Sequence, residues 1–328
     1  MIQASDTLAW TLDDYQGLDD AMQKCLDQAR MAARIDLPIL ILGESGTGKT
    51  LLARAIHNSS SRARGPFVSF NAAALSDTLL DSQLFGHERG AFTGAQNRVK
   101  GKFELAHHGT LFIDEIADMS QVAQAKVLRA IEYGEFERLG SESIQVADVR
   151  VLSATHFPLD VFAETDRFRR DLLFRIGGLT ITLPALRERR KALPLLVAAE
   201  IARASRRQNK SIVGLEREAA QRLFSYPWPG NLRELSRVIE AAVAMAPEEV
   251  ILSETLILQS AADVWRSGAS VPASGAAVPA GDGGNLSLAA AEQRHVRDVL
   301  ARMGGNKRRA ARALGISRST LDRKLAEA

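Results

Sequence analysis

Residues 38–50 read Pro38-Ile39-Leu40-Ile41-Leu42-Gly43-Glu44-Ser45-Gly46-Thr47-Gly48-Lys49-Thr50, an apolar run followed by a glycine-rich segment. A helical pattern, Leu51-Leu52-Ala53-Arg54-Ala55-Ile56, comes next. A strand, a glycine turn ending in Lys-Thr and a helix together match the phosphate-binding loop. The glycines let backbone N–H groups turn inward around phosphate oxygens, and the dipole of the following helix adds positive potential. The sequence therefore predicts a nucleoside-triphosphate site.

The side chains of this loop have predicted roles of their own. Lys49 is expected to reach the β- and γ-phosphates, and the Thr50 hydroxyl to ligate Mg²⁺. The residues expected to hold ATP are Gly43, Glu44, Ser45, Gly46, Thr47, Gly48, Lys49 and Thr50. The alternative is a plain glycine turn that joins a strand to a helix and leaves Lys49 solvated. A second motif further along the chain, which contains paired acids, makes that alternative less favoured.

This second motif is an apolar strand, Thr110-Leu111-Phe112-Ile113, that ends in the carboxylates of Asp114 and Glu115. Asp114 would orient Mg²⁺ or its water shell, and Glu115 would polarise the water that attacks the phosphate. Acids that merely cap the next helix are the other interpretation. Because a phosphate loop lies upstream, the pair instead predicts hydrolysis of the bound nucleotide.

Strands and helices alternate along the first half of the chain. Hydrophobic spacing predicts a helix over Asp14–Arg34, a strand over Phe67–Asn71, a short helix over Leu79–Phe85 and a strand over Val149–His156. Such alternation favours a parallel sheet covered by helices on both faces. Asn71 then lies at the carboxyl end of its strand, where ligands bind in open α/β sheets.

Composition indicates a globular protein of more than one folded unit. The chain has 328 residues, of which 46% are hydrophobic, enough for two or three units. No apolar run approaches the roughly 18 residues of a membrane helix, and the N-terminus does not resemble a signal peptide, so we expect a cytoplasmic protein. The single cysteine, Cys25, excludes an internal disulfide and is expected to be buried.

Positive charge is concentrated at the C-terminus. Residues 286–328 contain ten Lys or Arg and four Asp or Glu, whereas the whole chain has a net charge of only +3. Nucleic acid is the obvious partner of such a tail. A flexible linker rich in Ala, Gly, Ser and Pro is predicted to precede it.

Helices are predicted in the tail over residues 286–303, 307–314 and 318–326, with a tight turn at Leu314-Gly315-Ile316-Ser317. This is the helix-turn-helix arrangement, whose last helix lies in the major groove. A short basic helical hairpin of another kind can imitate it, but the position after a linker and the charge favour DNA binding. The expected DNA contacts are Lys307, Arg308, Arg309, Arg318, Ser319, Thr320, Arg323 and Lys324.

One further segment has an unusual composition: Gly90-Ala91-Phe92-Thr93-Gly94-Ala95. Its glycines do not suit a helix interior, and Phe92 and Thr93 have nothing in the adjacent sequence to pack against. We predict a mobile loop with an exposed aromatic tip that contacts a partner. With the phosphate loop and the acidic strand, this segment makes the chain resemble the bacterial enhancer-binding activators of sigma-54 RNA polymerase, members of the AAA+ ATPases. The resemblance implies that residues 90–95 contact sigma-54.

The resemblance extends from about Asp14 to the C-terminus and implies further site residues. Asn71 would couple the catalytic Glu115 to the state of the nucleotide. Within residues 168–175, Arg169 and Arg175 would point at the γ-phosphate of a neighbouring subunit. Such arginines make hydrolysis depend on assembly, because the cation arrives only when subunits meet. The alternative role for these arginines is a surface ion pair.

Of two other positions, one matches the family pattern and one departs from it. Arg233, in Trp228-Pro229-Gly230-Asn231-Leu232-Arg233-Glu234-Leu235, resembles the residue that senses the nucleotide from the lid. His156 stands where the resemblance leads us to expect Asn. Imidazole is bulkier than the Asn amide and titratable, and it can donate or accept a hydrogen bond.

The resemblance also implies a domain plan. After a short segment at 1–13 comes an α/β AAA+ P-loop domain at 14–185, with a parallel sheet between helices. A small all-α lid follows at 186–262, then the linker at 263–285 and a Fis-type helix-turn-helix domain at 286–328. The family commonly has a sensing domain ahead of the ATPase. Its absence from this sequence predicts control in trans, by a regulatory partner protein or by abundance.

The implied function is activation of transcription by an ATP-hydrolysing homo-oligomer, a hexamer in this family, that opens the sigma-54 promoter complex. Two rivals remain. One is a different AAA+ remodeller, such as a protein-unfolding chaperone, which the two nucleotide motifs would suit equally. The other is a DNA-binding regulator that uses ATP only as an assembly switch, which His156 makes conceivable.

Overall fold

The computed structural model describes residues 10–15, 17–73, 76–247 and 249–258, together with Lys307, Ala311, Thr320 and Leu321. The chain separates into two units, Met1–Gly268 and Ala269–Ala328. In the second unit, the four described residues are helical, and Ala311 and Leu321 are buried. The linker and the rest of the three helices predicted for the tail lie outside the described residues.

The first unit contains a large sheet, three small two-stranded sheets and the helices that surround them. The strands are β1 (Ile39–Leu42), β2 (Phe67–Asn71), β3 (Gly86–His87), β4 (Val99–Lys100), β5 (Thr110–Asp114), β6 (Glu135–Glu137), β7 (Ile144–Val146), β8 (Arg150–Thr155), β9 (Leu179–Thr182), β10 (Gly214–Leu215) and β11 (Val250–Ile251). The helices are α1 (Asp20–Ala33), α2 (Lys49–Asn58), α3 (Asp77–Phe85), α4 (Lys102–Leu105), α5 (Gln121–Tyr133), α6 (Leu159–Glu164), α7 (Arg170–Ile176), α8 (Leu193–Gln208), α9 (Arg217–Ser225) and α10 (Asn231–Met245).

The large sheet has the order β2-β5-β8-β1-β9, and all neighbouring strands are parallel. The carboxyl ends of parallel strands meet at one edge of a sheet, so the segments that follow them come together. At this edge lie the phosphate loop after β1, Asn71 at the end of β2, Asp114 at the end of β5 and His156 after β8. The predicted parallel sheet is confirmed.

Alternating side chains of the strands pack into two separate cores, one on each face of the sheet. Ile39 and Ile41 of β1 and Phe112 of β5 belong to the core formed with α1 and α2. Leu111 and Ile113 of β5 belong to the core formed with α3, α5 and α7. Burying a large apolar side chain contributes about 1.5–3 kcal/mol. Both faces are therefore covered, as a parallel sheet requires.

The first predicted helix begins later than its hydrophobic spacing suggested. Residues Leu12–Asp14 form a short 3₁₀ turn, and α1 starts at Asp20. The Asp14 carboxylate accepts hydrogen bonds from the Thr11 N–H and hydroxyl, which closes a local turn in place of a helix. The helix predicted to begin at Asp14 was therefore wrong at its start, whereas the strand predicted over Phe67–Asn71 is confirmed.

The lid is formed by α8, α9 and α10, with the short parallel pair β10 and β11 beside them. Trp228 is fully buried in the lid core, and its Nε1–H donates to the Leu223 carbonyl at 3.0 Å. The predicted helical character of this region is confirmed. Cys25 is buried in α1, as predicted. Among the described residues, no helix combines the length and apolar character needed to cross a membrane.

Candidate functional site

The phosphate loop has the backbone geometry that its glycines permit. Gly46 and Gly48 have φ angles of +79° and +103°, in the region that favours glycine. A Cβ atom on Gly46 would lie 2.5 Å from the carbonyl oxygen of Gly230, so the lid also requires glycine there. The side chain of Lys49 is only 6% exposed, and its Nζ donates to the Gly43 carbonyl at 2.9 Å. The ammonium group is thus held inside the loop that is predicted to receive phosphates.

Asp114 and Glu115 lie beside this loop. Burial, and next the charge of Glu115, raise the pKa of the Asp114 carboxyl above its usual range. A desolvated carboxylate of this kind favours a cation beside it, and oxygen ligands suit Mg²⁺. Thr50 is an exposed residue in the first turn of α2. These residues fit a magnesium site.

Glu115 is held between two nitrogen-bearing side chains. Its backbone is left-handed, with φ of +53°, and its side chain is only 15% exposed. One carboxylate oxygen, Oε1, lies 3.7 Å from the Lys49 Nζ. The other, Oε2, is bonded to the His156 Nδ1 at 2.8 Å. The structure therefore brings His156 to the carboxylate that the sequence predicts to be catalytic.

Asn71 lies next to Asp114 in the sheet, since the two residues are in register between β2 and β5. Its side-chain oxygen accepts a hydrogen bond from the Ala73 N–H at 2.8 Å, which closes a turn after the strand. The structure places this side chain at the correct edge of the sheet but gives it a backbone partner. The expected coupling of Asn71 to Glu115 stays a prediction.

The lid contacts the phosphate loop through polar side chains. Arg187 forms two hydrogen bonds with the Glu44 carboxylate, at 2.9 and 2.6 Å. Asn231 donates to the same carboxylate at 3.1 Å and to the Ser45 carbonyl at 3.0 Å. These hydrogen bonds, that of Arg187 most strongly, hold the pKa of Glu44 below its usual range. Arg233 donates to the Ser45 hydroxyl at 2.8 Å, so its predicted position beside the nucleotide loop is supported by a direct contact.

Of these residues, Arg233 was predicted from the sequence to lie at the site, whereas Arg187 and Asn231 were not. Both belong to segments rich in Pro, Gly and charged residues at the start of the lid and of α10. Asn231 has a left-handed backbone with φ of +52°, and its side-chain oxygen accepts from the Leu186 N–H at 2.8 Å. A polar residue that begins a helix right after Pro-Gly was the available signal for Asn231.

Arg169 and Arg175 lie at the start and near the end of α7. Arg169 forms an ion pair with Asp171 at 2.7 Å, and Arg175 donates to the Ile131 carbonyl at 3.3 Å. Within the described ranges, neither has a hydrogen bond or ion pair with the phosphate loop of its own chain. The surface ion pair that was considered as an alternative is present for Arg169. Their predicted action on a neighbouring subunit remains a prediction.

Residues Gly90–Ala95 form a loop between β3 and β4, closed by a hydrogen bond of 2.9 Å from the Gly90 N–H to the Ala95 carbonyl. Thr93 is exposed, as predicted. Phe92 is half-buried, and its ring lies edge-on to that of His87, with ring centroids 5.0 Å apart. The expectation that Phe92 has nothing in the adjacent sequence to pack against was therefore wrong. The reason is the buried His87, which lies five residues upstream and whose ring offers a surface to Phe92.

The base of this loop is fixed by the hairpin of β6 and β7. Arg138, in the turn of the hairpin, is buried and forms ion pairs with Glu88 at 3.1 Å and with Glu104 at 2.6 Å. Backbone hydrogen bonds of 3.0 Å also join Leu139 to the residues on either side of His87. Because Arg138 is buried, losing either carboxylate would leave part of its positive charge uncompensated. These contacts therefore hold the loop base in place. The exposed Thr93 therefore lies on a loop whose base is fixed.

The predicted DNA contacts fall on the second unit. Lys307 is exposed and helical, and Thr320 is helical and half-buried. The other six, Arg308, Arg309, Arg318, Ser319, Arg323 and Lys324, lie outside the described residues.

The described fold and the geometry of the site define a class. A parallel sheet carries a phosphate loop after one strand and paired acids after another, and a helical lid contacts the loop through an arginine. This combination is that of a AAA+ ATPase.

Comparison with known families identifies the kind of AAA+ protein. Residues 15–182 match the sigma-54 interaction domain, residues 187–266 match the AAA+ ATPase lid domain, and residues 287–327 match the bacterial regulatory proteins of the Fis family. The chain belongs to the sigma-54-dependent transcriptional activators, AAA+ ATPases with a Fis-type DNA-binding domain. The resemblance seen in the sequence is confirmed.

Several relatives are similar over nearly the whole chain. The transcriptional regulatory protein ZraR of Escherichia coli K12 is 42% identical over 94% of this chain and 67% of its own length. The regulatory protein AtoC of the same organism is 43% identical over 93% of this chain and 65% of its own length. The chain thus spans about two thirds of these relatives.

A solved structure of NtrX from Brucella abortus in complex with ATP is also similar. The two share 32% identity with a TM-score of 0.68, over 96% of this chain and 69% of NtrX.

Proposed function

We propose that this protein assembles into a ring and couples ATP hydrolysis to remodelling of the sigma-54 RNA polymerase closed complex into an open one. Its C-terminal domain would bind DNA upstream of the promoter, and its site of action would be the cytoplasm. Energy from hydrolysis is needed because a loop that acts repeatedly has to be reset after each action, which binding alone does not do.

One observation carries the proposal. Helices α3 and α5 follow strands that end at the edge of the sheet where the phosphate loop lies, and both lead to the loop at residues 90–95. Helix α3 follows β2, which ends in Asn71, and continues directly into β3. Helix α5 follows β5, which ends at Asp114, and continues into the hairpin that supports the loop. An ion pair between Asp81 and Lys126 joins the two helices. A change at the nucleotide would thus reach the loop through two rigid, connected elements.

The chemistry proposed for the site is attack of water on the γ-phosphate of ATP. Lys49 would neutralise phosphate charge, and Glu115 would orient the water and take its proton. The Glu115 Oε1 lies 3.7 Å from the Lys49 Nζ, so the proposed base and the ammonium cation border the same part of the site. Arg233, bonded to the loop at Ser45, would report the nucleotide to the lid.

Mg²⁺ would be held by the Thr50 hydroxyl and the Asp114 carboxylate, and it would neutralise phosphate charge as hydrolysis proceeds. Burial of the Asp114 carboxyl supports this assignment, since a nearby cation compensates a desolvated negative charge.

Arg169 and Arg175 would complete the site of the next subunit in the ring. The side chain of Arg169 is 39% exposed, which leaves it accessible to a neighbour. An arginine of a second chain would then stabilise the negative charge that develops on the phosphoryl group. Hydrolysis would therefore require assembly. The family implies a hexamer.

The test combines two activities in one preparation of the full chain. ATP turnover and formation of the open complex are measured with sigma-54 holoenzyme and a promoter carrying an upstream site. The proposal predicts both, and predicts that Glu115→Ala loses both while retaining ATP binding. Turnover without promoter opening would favour a different AAA+ remodeller. Binding of ATP and DNA without turnover would favour a regulator that uses ATP only as an assembly switch.

A further inference from the structure

The outward face of helix α7 carries an exposed aromatic side chain. Leu172 and Ile176 lie in the core beneath the helix and are fully buried. Successive residues advance by about 100° around an α-helix, so Phe174, two positions from each of them, lies on the opposite side. Phe174 is 81% exposed. Aromatic rings stabilise through the surface that they bury, in a core or at an interface, so this ring is available to a partner.

A second exposed aromatic residue lies at the end of the neighbouring helix. The Arg175 Nη2 donates to the carbonyl of Ile131 in α5 at 3.3 Å. Tyr133 comes two residues after Ile131, at the end of α5, and is 68% exposed. Phe174 and Tyr133 therefore come from the two helices that this hydrogen bond joins. We call Tyr133, Phe174 and Arg175 the aromatic surface. Aromatic residues and arginine are the types enriched at protein interfaces.

The aromatic surface has a rigid support. At the start of α7, the Arg169 N–H donates at 2.8 Å to the side-chain oxygen of Gln124, a buried residue of α5. The amide nitrogen of Gln124 donates to the Met119 carbonyl, also at 2.8 Å. Helix α7 is thus held along α5 by Gln124 at its start and by Arg175 near its end. A surface that is ordered in advance loses less conformational entropy on binding.

The charge around the aromatic surface indicates what it docks against. Residues 167–175 contain four arginines and a single acid, Asp171. The edge of the sheet where the phosphate loop lies, here called the nucleotide edge, has the opposite charge. Asp114 and Glu115 lie there, and a triphosphate is predicted to bind beside them. The nucleotide edge also has a partly exposed apolar residue, Leu51, next to Thr50 in α2. Such complementary surfaces fit each other.

We propose that Phe174 and Tyr133 are the apolar anchors that dock this surface onto the nucleotide edge of a second copy of the chain. The inference rests on the proposed ring. Exposed ion pairs contribute little to association, whereas a few aromatic residues commonly carry most of the binding energy of an interface. Docking by the two rings would bring Arg175, which follows Phe174 in the chain, to the second copy. The aromatic rings thus stabilise assembly, and the arginines act on the nucleotide.

The test uses Phe174→Ala and Tyr133→Ala in the full chain, with Met31→Ala as the matched control. Met31 is 64% exposed on α1, which packs on the other face of the sheet from α7. Phe174→Leu keeps an apolar side chain at the anchor position. Because the replaced side chains are exposed, thermal unfolding of all the variants should match that of the parent.

Sedimentation velocity with a non-hydrolysable ATP analogue and Mg²⁺ measures the protein concentration at half-assembly. Phosphate release measures ATP turnover over the same range of concentrations. Phe174→Ala and Tyr133→Ala should each raise the half-assembly concentration about 10-fold or more. At saturating protein, their turnover per chain should return to within about 2-fold of the parent, because the arginines are intact. Met31→Ala and Phe174→Leu should assemble within about 3-fold of the parental concentration.

Two charged substitutions test the identity of the occupant. Phe174→Glu should weaken assembly more than Phe174→Ala, because the acids and the triphosphate of the nucleotide edge would repel a carboxylate. Phe174→Lys should weaken assembly less than Phe174→Glu. The reverse order would mean that the surface faces a basic partner, and it would overturn the inference.

Parental assembly by Phe174→Ala or by Tyr133→Ala would also overturn the inference. Loss of sigma-54 binding by variants that assemble normally would do the same, since the surface would then serve another partner. So would turnover that is lowered at every protein concentration while assembly is normal.

The parent protein separates this inference from the function on which it rests. If the turnover per chain of the parent did not depend on protein concentration, the proposed ring would fail, and the inference with it. If the parent assembled and both alanine variants matched it, only the inference would fail.

Discussion

Arg187 and Glu44 form a two-pronged ion pair, with Nη2 2.6 Å from Oε1, that joins the start of the lid to the phosphate loop. Asn231 donates to the same carboxylate at 3.1 Å. The lid is thus joined by hydrogen bonds to Glu44, the second residue of the glycine-rich loop.

We predict that Arg187→Ala lowers the free energy of unfolding by no more than about 1 kcal/mol at pH 7, because both side chains are more than a third exposed. The ion pair lowers the pKa of Glu44. A lowered pKa stabilises the fold above the usual pKa of a glutamate, about 4.3, and the stabilisation is lost as the pH falls through the lower value in the folded state. Urea unfolding at pH 7 and below pH 4.3 measures this.

The control for this experiment is Arg206→Ala, which removes an exposed arginine from the last turn of the lid helix α8. It should leave the free energy of unfolding within about 0.5 kcal/mol of the parent at both pH values. A loss for Arg187→Ala that did not shrink in acid would contradict a role through Glu44.

The nucleotide motifs give a second prediction. Glu115→Ala should bind ATP, because Lys49 and Thr50 remain, but should lose hydrolysis by at least about 10²-fold, because the base is removed. Lys49→Ala should lose both binding and hydrolysis. Binding of a fluorescent ATP analogue and release of phosphate distinguish these outcomes. Parental turnover by Glu115→Ala would show that the acidic motif has been assigned wrongly.

The phosphate loop, the acidic strand and the central parallel strands could be predicted from the sequence because their signals are local. Each consists of a few apolar residues next to glycines or acids, as in Ile39–Leu42 before the loop. The short strands β3, β4, β6 and β7 were not predicted, since two or three residues carry no periodicity. Strand β9 was missed as well, because its pairing with β1 at the sheet edge depends on residues about 140 positions away in the sequence.

Contacts across the site were harder to predict. The pairs Arg187–Glu44 and Asn231–Glu44 are 143 and 187 residues apart in the sequence, and no periodic pattern links such distant positions. The bond between His156 and Glu115 follows from the adjacency of β5 and β8, which became known only with the strand order. The type of residue at the site was predictable, and its partner was not.

The arginines of α7 give a third prediction, which concerns assembly. Arg169→Ala and Arg175→Ala should each leave ATP binding intact and reduce hydrolysis by about 10³-fold, the effect of losing an arginine that stabilises phosphoryl transfer. Mixing either variant with Lys49→Ala should restore hydrolysis, because rings then contain intact sites made of one Lys49 and one arginine from different chains. Phosphate release across mixing ratios measures the recovery.

The control mixes an arginine variant with a chain that carries both that arginine substitution and Lys49→Ala. This mixture should recover no ATP hydrolysis. If the arginine variants assembled normally and gained no activity on mixing with Lys49→Ala, action in trans would be ruled out. For Arg169, the ion pair with Asp171 would then be its role.

The basic C-terminal tail gives a fourth prediction. Deleting residues 286–328 should abolish specific DNA binding and leave ATP hydrolysis within about 2-fold, since the tail belongs to a separate unit. In the full chain, replacing Lys307 with Ala should reduce the slope of log K against log salt by about 0.9, the effect of one lost phosphate contact. Replacing Arg318 should weaken specific binding by about 1–3 kcal/mol, as expected for a contact to a base.

Footprinting and salt titration on the operator measure both effects. Undiminished footprinting by the shortened chain would refute the assignment of the tail. A change in salt slope for Arg318 without a change in specificity would place Arg318 on phosphates instead of bases.

The exposed tip of the loop at residues 90–95 gives the last prediction. Thr93 is exposed, whereas Phe92 packs against the buried ring of His87. Thr93→Ala should therefore leave ATP hydrolysis, ring assembly and DNA binding near the parental values, because the side chain contributes nothing to the core. The same variant should fail to hold sigma-54 in the presence of a transition-state mimic of ATP, and should fail to open the promoter.

Gln96→Ala is the matched control, since Gln96 is also exposed but lies outside the six-residue loop. It should keep both activities.

Phe92→Ala is expected to behave differently from Thr93→Ala. Losing the aromatic contact with His87 costs about 0.5–1.5 kcal/mol, so this variant should have a less stable loop base and should also fail to open the promoter. ATPase and open-complex assays on one preparation of each variant decide the matter. Promoter opening by Thr93→Ala would remove this residue from the mechanism. Loss of ATP hydrolysis as well would mean that Thr93 supports the ATPase fold and not the partner.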